Sequence, residues 1–416
     1  MIIIFTIKLD MIQAMGLAVI LLIIGRNLRN KIYFFEKYCI PSPVIGGMIF
    51  SIFSFITRQL NVMTVEFDTT LQTFFMIMFF TSVGFNASIK VLRKGGKKVF
   101  IFLIVAAVLC VFQNAVAVLL SRFVGIHPLL AMMTGSTPMT GGHGTSAAIA
   151  PSVENLGIKG AGAVAIASAT YGLLVGSMLG GPIANRLILK HKLLPDLKLS
   201  DKSLENETPK NYEENIDENL KKKLQPVLDG DRFSRAFFQI LIAMGIGSYL
   251  SLLINRILPH MHFPVYIGPM IAAAVMRNIS DNTELINSPT KEISILEDVA
   301  LNLFLAMALM SLKLWELIDL AGPMIILLLA QTVLIYFYLN WITFKAMGSD
   351  YDAAVIVSGH CGFGLGATPN GISNMKSVCE KYQYSKIAFF VVPIVGALFI
   401  DFVNVSIITT FISFFK

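Results

Sequence analysis

Two stretches limit what this chain can become. The first, Met139-Thr140-Gly141-Gly142-His143-Gly144-Thr145-Ser146-Ala147-Ala148, lies between Pro138 and Pro151 in a chain that is otherwise a succession of apolar segments. Three glycines in four residues weaken a helix by roughly 1 kcal/mol each relative to alanine, so no ordinary spanning helix is expected there. Backbone released from a helix must find partners for its N–H and C=O groups, and hydrocarbon has none. It survives at membrane depth only where protein buries it or it lines a wet cavity. The second stretch, Ser358-Gly359-His360-Cys361-Gly362-Phe363-Gly364-Leu365-Gly366-Ala367-Thr368-Pro369-Asn370, has the same character. A pair of interrupted segments in corresponding places is the sequence mark of a transporter's binding site.

The membrane class follows from the rest of the chain. Of 416 residues, 55% are hydrophobic and 14% charged, against about 25% charged in soluble domains. Uncharged runs at 99–120 and 389–400 make the protein helical and polytopic. The net charge of +7 sits between apolar runs, which is topogenic loop charge and no footprint for nucleic acid. Cys39, Cys110, Cys361 and Cys379 are scattered and read as packing residues or free thiols. Cys361, inside the second stretch, is expected to be open to thiol reagents. The apolar segment at 11–24 is followed by Gly25 and Arg26 with no small-residue cleavage site, so it reads as a retained first span.

Ten spans are expected, at 10–28, 43–57, 71–89, 98–123, 159–189, 233–258, 264–276, 296–315, 320–344 and 384–414. The interrupted loops fall at 127–155 and 350–376. Between the fifth and sixth spans lies a polar linker, 190–232, with one surface helix expected near 213–224. The chain thus divides into an N-terminal repeat (1–189), the linker, and a C-terminal repeat (233–416).

Basic residues orient these spans. Arg26, Arg29, Lys31 and Lys37 follow the first span, and Lys90, Arg93, Lys94, Lys97 and Lys98 follow the third. The positive-inside rule puts them and the linker in the cytoplasm and both termini outside. The first loop then enters from outside and the second from inside. The halves also repeat. Gly46 and Gly268 sit in similar short motifs 222 residues apart, and the same offset relates Gly142 to Gly364, Gly144 to Gly366, and Ser136 to Ser358. With five spans per half, an odd number, the two repeats face the membrane in opposite senses.

Glycine-rich loops next to helix ends offer free amides to an anion, and their carbonyls offer oxygen ligands to a hard cation. Hydroxyls of Ser136, Thr137, Thr140, Thr145, Ser146 and Thr368 and the amide of Asn370 add polar contacts. By contrast Ser168, Gly172, Gly176 and Gly180, spaced by four, read as a packing face. Asp401 lies within an apolar span, where a carboxylate costs at least about 2.5 kcal/mol to insert, so it is a functional candidate. Asn404 is one turn away on the same face. Gln113, Asn114 and Asn302 read as interhelical hydrogen bonders. His143 and His360 leave two readings open, a hydrogen-bonding anchor of loop shape or a proton carrier.

At Gly141-Gly142-His143-Gly144-Thr145, at Gly362-Phe363-Gly364-Leu365-Gly366-Ala367-Thr368-Pro369 and at Phe399-Ile400-Asp401-Phe402-Val403-Asn404, the chain resembles the sodium/glutamate symporter family. The likeness runs nearly end to end, the linker excepted. A more distant likeness is to the citrate and other 2-hydroxycarboxylate symporters. No arginine stands in the second loop or the last span to suit a tricarboxylate. The resemblance implies an all-α polytopic membrane protein of two inverted five-helix repeats, each with a re-entrant glycine-rich loop. It further implies Na⁺ coupling, a homodimer in the cell (inner) membrane, and L-glutamate bound where the loop tips meet. The expected substrate residues are Ser136, Thr137, Gly142, His143, Gly144, Thr145, Gly364, Gly366, Thr368, Asn370 and Asp401. For Na⁺ they are Thr140, Gly141, Ser146, Ser358, Gly362 and Asn404. No organic cofactor and no enzymatic activity are expected, since no nucleophile–base set or metal cluster is visible. The rival readings are a symporter of another di- or tricarboxylate, a Na⁺/H⁺ antiporter, and an ion channel with re-entrant pore loops.

Overall fold

The computed structural model describes residues 5–38, 40–193, 229–257, 264–283 and 288–415. Most of the linker, including the helix expected near 213–224, lies outside them. The described chain is almost entirely helical. Its main helices are α1 (Met11–Lys31), α2 (Ser42–Gln59), α3 (Thr70–Asn86), α4 (Gly96–Val124), α5 (Ser136–Met139), α6 (Gly142–Glu154), α7 (Ala161–Lys190), α8 (Gly230–Ile257), α9 (Ile267–Asn282), α10 (Thr290–Met310), α11 (Ala321–Tyr338), α12 (Tyr351–Leu365), α13 (Thr368–Lys381), α14 (Lys386–Ile394) and α15 (Ile400–Phe415). π-helical segments extend α11 (Leu339–Thr343) and join α14 to α15 (Val395–Phe399). The second follows Pro393, whose ring cannot sit in a regular helix.

Local chemistry sets the helix ends. Asp10 opens α1 with a capping box, accepting from the amides of Ile12 and Gln13 while Gln13 reaches back to its own amide. Asp350 and Ser385 cap α12 and α14 by the same kind of bond. Gly125, at φ 71°, ends α4 in the left-handed conformation. One feature was not expected: Phe5–Leu9 and Met63–Phe67 form a two-stranded parallel ladder, with Lys8 paired to Glu66 at 3.4 Å.

Seven stretches of described helix are long and apolar enough to cross a membrane: Met11–Lys31, Gly96–Val124, Ala161–Lys190, Gly230–Ile257, Thr290–Met310, Ala321–Ala346 and Lys386–Phe415. Ile20, Phe100, Leu252, Ile326 and Leu329 on these helices are exposed, as lipid-facing side chains are. Of the other expected spans, α2, α3 and α9 have 18, 17 and 16 residues.

The helices sort into two bodies. One is α1, α2, α3, α8, α9 and α10. The other is α4 to α7 with α11 to α15. Inside the first, Gly25 of α1 meets Gly46 of α2, and Gly247 of α8 meets Gly268 of α9. These two contacts lie 222 residues apart at both partners. Across the boundary, α6 leans on α10 and α15 leans on α3.

Candidate functional site

The glycine stretches are more helical than their composition predicts. Residues 142–154 are α6, and Gly359, Gly362 and Gly364 all lie within α12. The expectation of long unwound loops is therefore corrected to two short breaks, one at Thr140–Gly141 and one at Gly366–Ala367. The reason is close packing: protein, rather than lipid, surrounds these helices, and a missing side chain admits a neighbouring backbone. Gly362 and Gly359 of α12 abut Gly371 of α13, so α12 and α13 fold back on each other. Gly172 of α7 lies against the Leu365 carbonyl, Gly176 beside Cys361 and Leu365, and Gly180 beside Ser358 and Asn374. The packing face expected in α7 is thus present, and α12 is what it packs on. Cys361 is fully buried there, which overturns its expected accessibility to thiol reagents.

The two breaks meet. Gly142 holds φ 61°, and a Cβ built on it would stand 3.0 Å from the carbonyl oxygen of Gly366. A left-handed residue this close to a foreign carbonyl calls for glycine. Gln113 of α4 ties the breaks together. Its Nε2 donates to the Gly364 carbonyl at 2.7 Å, and its Oε1 accepts from the Thr140 hydroxyl at 2.9 Å. Gln331 of α11 in turn donates to the Gln113 backbone carbonyl at 2.8 Å. Asn114 brackets Ser136, accepting from its amide at 2.9 Å and donating to its hydroxyl at 2.8 Å. Asn404 donates to the Ser136 carbonyl at 3.0 Å.

The other expected residues divide by place. Thr137 is buried next to Ser136, and its hydroxyl has no protein partner; nor do Oδ1 of Asn370 and Oδ1 of Asn404. Buried oxygens left in this way are uncommon and call for an explanation. Asn370 is held through Nδ2 to the Leu173 carbonyl at 3.0 Å. Thr145 is buried one turn into α6, and Gly144 faces Leu301 of α10 and Phe79 of α3. His143 shares a 3.0 Å hydrogen bond with Thr170 of α7. Thr368 donates to the Gly396 carbonyl in the π segment at 2.7 Å. Asp401 opens α15 directly after that segment. Ser146 and Ser358 are turned away, toward the carbonyls of Ala165 at 3.4 Å and Val355 at 2.7 Å. The Gly141 carbonyl accepts from Thr145, and that of Gly362 from Ala367. His360 lies far down α12, stacked on Phe363 and bonded to Thr343 at 3.0 Å.

Two participants escaped the sequence reading. Along the chain Gln113 reads as an ordinary interhelical bonder, and nothing there ties it to Thr140 or Gly364. Glu297 of α10 accepts from Asn86 of α3 at 3.0 Å and stands within electrostatic range of Asp401 across the boundary of the two bodies. An acid inside an apolar run was its available signal.

The helix ends give the centre its polarity. α6 has no side-chain cap, and the amides of Gly142, His143 and Gly144 form its first turn, the positive end of its dipole. α12 brings its opposite end, the carbonyl end at Gly364 to Gly366, to the same place.

Fold and centre together define an all-α, multi-pass membrane protein with a polar crossing of two broken helices buried at the seam of two helical bodies. The sodium/glutamate symporter family model matches residues 7–384. The sodium/glutamate symporter of Escherichia coli (strain K12) is 36% identical over 405 residues, covering 97% of this chain and 98% of that protein. That of Haemophilus influenzae is 36% identical over 401 residues, covering 95% of each. The chain belongs to the sodium/glutamate symporter family.

Proposed function

We propose that this protein carries L-glutamate inward together with Na⁺, by alternating access. One observation carries the reading: an amide end and a carbonyl end meet in one buried place. A zwitterionic amino acid needs both. The first-turn amides of α6, at Gly142, His143 and Gly144, suit a carboxylate, helped by the hydroxyls of Thr137 and Thr145. The carbonyl of Gly366 and Oδ1 of Asn370 suit the ammonium group, with Asp401 as a further candidate partner; the Gly364 carbonyl is already engaged by Gln113. Na⁺ prefers oxygen ligands, and Oδ1 of Asn404, whose amide bonds Ser136, and the hydroxyl of the adjoining Thr137 supply unclaimed ones. Ser146, Ser358, Gly141 and Gly362 contribute less on this reading, because their oxygens already serve the fold.

The hairpins α5–α6 and α12–α13 are re-entrant from opposite faces, and the halves are inverted repeats. The matched pairs Gly25–Gly46 and Gly247–Gly268 support this. By the positive-inside rule the termini lie outside the inner membrane and the linker lies in the cytoplasm. The family resemblance extends the reading to a homodimer.

The test is uptake of labelled L-glutamate into proteoliposomes holding the purified protein. A Na⁺ gradient is expected to drive accumulation that its collapse abolishes. Uptake that ignores Na⁺, or none at all, would overturn the proposal.

A further inference from the structure

At the end of α7 where the linker departs, the body that holds the broken helices carries a recess of about 450 Å³. Arg186, Lys190 and His191 line it from α7, and Lys345 lines it from the end of the α11 helix, beyond the π turn. Among the described residues no acidic side chain lines it. The neighbouring carboxylate, Asp350, is taken by Lys98 at 3.6 Å. Among the described residues, Arg186, Lys190 and Lys345 form no ion pair. Arg186 is nonetheless held in place: it donates to the Tyr336 hydroxyl, and its guanidinium carbon is 5.9 Å from the Tyr336 ring centre. The His191 ring rests 5.2 Å from that of Phe344.

The opposite wall is apolar and open to the outside. Trp341 is 63% exposed and Phe337 44%. Both stand on a helix long and apolar enough to cross a membrane, so the medium they face is lipid. Tryptophan at such a level marks the interface between headgroups and hydrocarbon. An occupant of this recess must therefore satisfy several cations at one end and lie along hydrocarbon at the other.

We propose that this recess seats the phosphate-bearing headgroup of an anionic glycerophospholipid, with its acyl chains along Phe337 and Trp341. A basic pocket between transmembrane helices at the positive face is suited to such headgroups. Arg186, already oriented by Tyr336, presents a planar fork to the phosphate, and Lys190 and Lys345 add point charges. The site is separate from the substrate centre and stands whether or not the transport reading holds.

The chain has two tryptophans. Trp315 is covered by Arg58 at 4.0 Å, so Trp315→Phe leaves Trp341 as the sole reporter in the full-length protein. Phosphatidylglycerol titrated into this variant in neutral-lipid nanodiscs is expected to change Trp341 emission saturably. The half-point should fall at least tenfold below that of phosphatidylcholine. Adding Lys190→Gln and Lys345→Gln should weaken the response about five-fold per lysine, and should remove a rise in Tm that phosphatidylglycerol gives the parent. Equal responses to the two lipids overturn the proposal, as does a response that both substitutions leave intact. A response that inorganic phosphate alone reproduces at tens of millimolar does so too, since the ligand would then be a free anion.

Discussion

Both glycine stretches fold back at their middle, yet the first turns at the end of a four-residue helix and the second at the end of a fifteen-residue one. The first is held by side chains reaching in from elsewhere: Asn114, Asn404 and Gln113. The second shares Gln113 and adds close backbone contact, with Gly172, Gly176 and Gly180 of α7 laid against α12 and α13. The first shows amides to the centre and the second shows carbonyls. A 222-residue offset relates the two stretches in sequence, but they bring unlike helix ends to one place. On the proposed reading the difference lets two similar motifs serve both halves of a zwitterion, because a helix has two unlike ends.

The harshest way to break this contrast is a methyl group on the backbone-held side. A Cβ at Gly172 would stand 1.9 Å from the Leu365 carbonyl oxygen, and two helix backbones must separate to admit it. Gly172→Ala is expected to lose about 3 kcal/mol or more, as overpacking of a rigid contact does. On the other stretch, a Cβ at Gly144 would meet the end of Leu301 at 3.3 Å and the edge of the Phe79 ring at an ordinary 3.6 Å. Gly144→Ala should cost less than about 1 kcal/mol, since a flexible side chain can give way. Thermal unfolding of both variants in one detergent measures the difference. Equal losses would mean that the second stretch is not held by its backbone.

Gln113→Leu cuts the link between the stretches while keeping a side chain of similar size. It leaves the Gly364 carbonyl, an orphan of the α12 terminus, and the Thr140 hydroxyl without partners. Two buried groups so abandoned cost about 2 kcal/mol together, at the low end of the usual range. Uptake should fall at least tenfold, because the amide and carbonyl ends would no longer be held in register. A variant with full uptake and unchanged Tm would show that the breaks stay together without Gln113.

Much of this was legible along the chain. Apolar runs and their basic flanks gave the membrane class, and the two glycine stretches gave the centre. What stayed hidden was set by contacts distant in sequence. Glycine content speaks against a helix in isolation, but Gly359 and Gly362 are helical because Gly371 packs on them, and composition does not reveal a partner. Gln113 bonds to Gly364 across 251 residues, which no local pattern records. The Phe5–Leu9 ladder has no local signature because its partner strand lies beyond three helices. Nor does a sequence show which hydroxyls already have acceptors: Ser358 bonds the carbonyl of Val355 within its own helix, and Ser146 that of Ala165 on α7.

The gentlest test asks whether the carbonyl side really receives an ammonium group. Oδ1 of Asn370 is buried and without a partner in the protein, while Nδ2 anchors the residue to α7. If Oδ1 accepts from the substrate ammonium, Asn370→Ala removes one charge-assisted hydrogen bond, an effect of about 1.4 kcal/mol or tenfold in affinity. Glutarate has both carboxylates of glutamate and no ammonium group, so it cannot lose that bond. L-Glutamate should therefore compete about tenfold less well against labelled substrate in the variant, while glutarate competes as it does in the parent. A general loosening of the fold would weaken both compounds alike, so their ratio isolates the contact. If the ratio does not change, the ammonium group does not use Asn370, and the Gly366 carbonyl and Asp401 become its candidate partners.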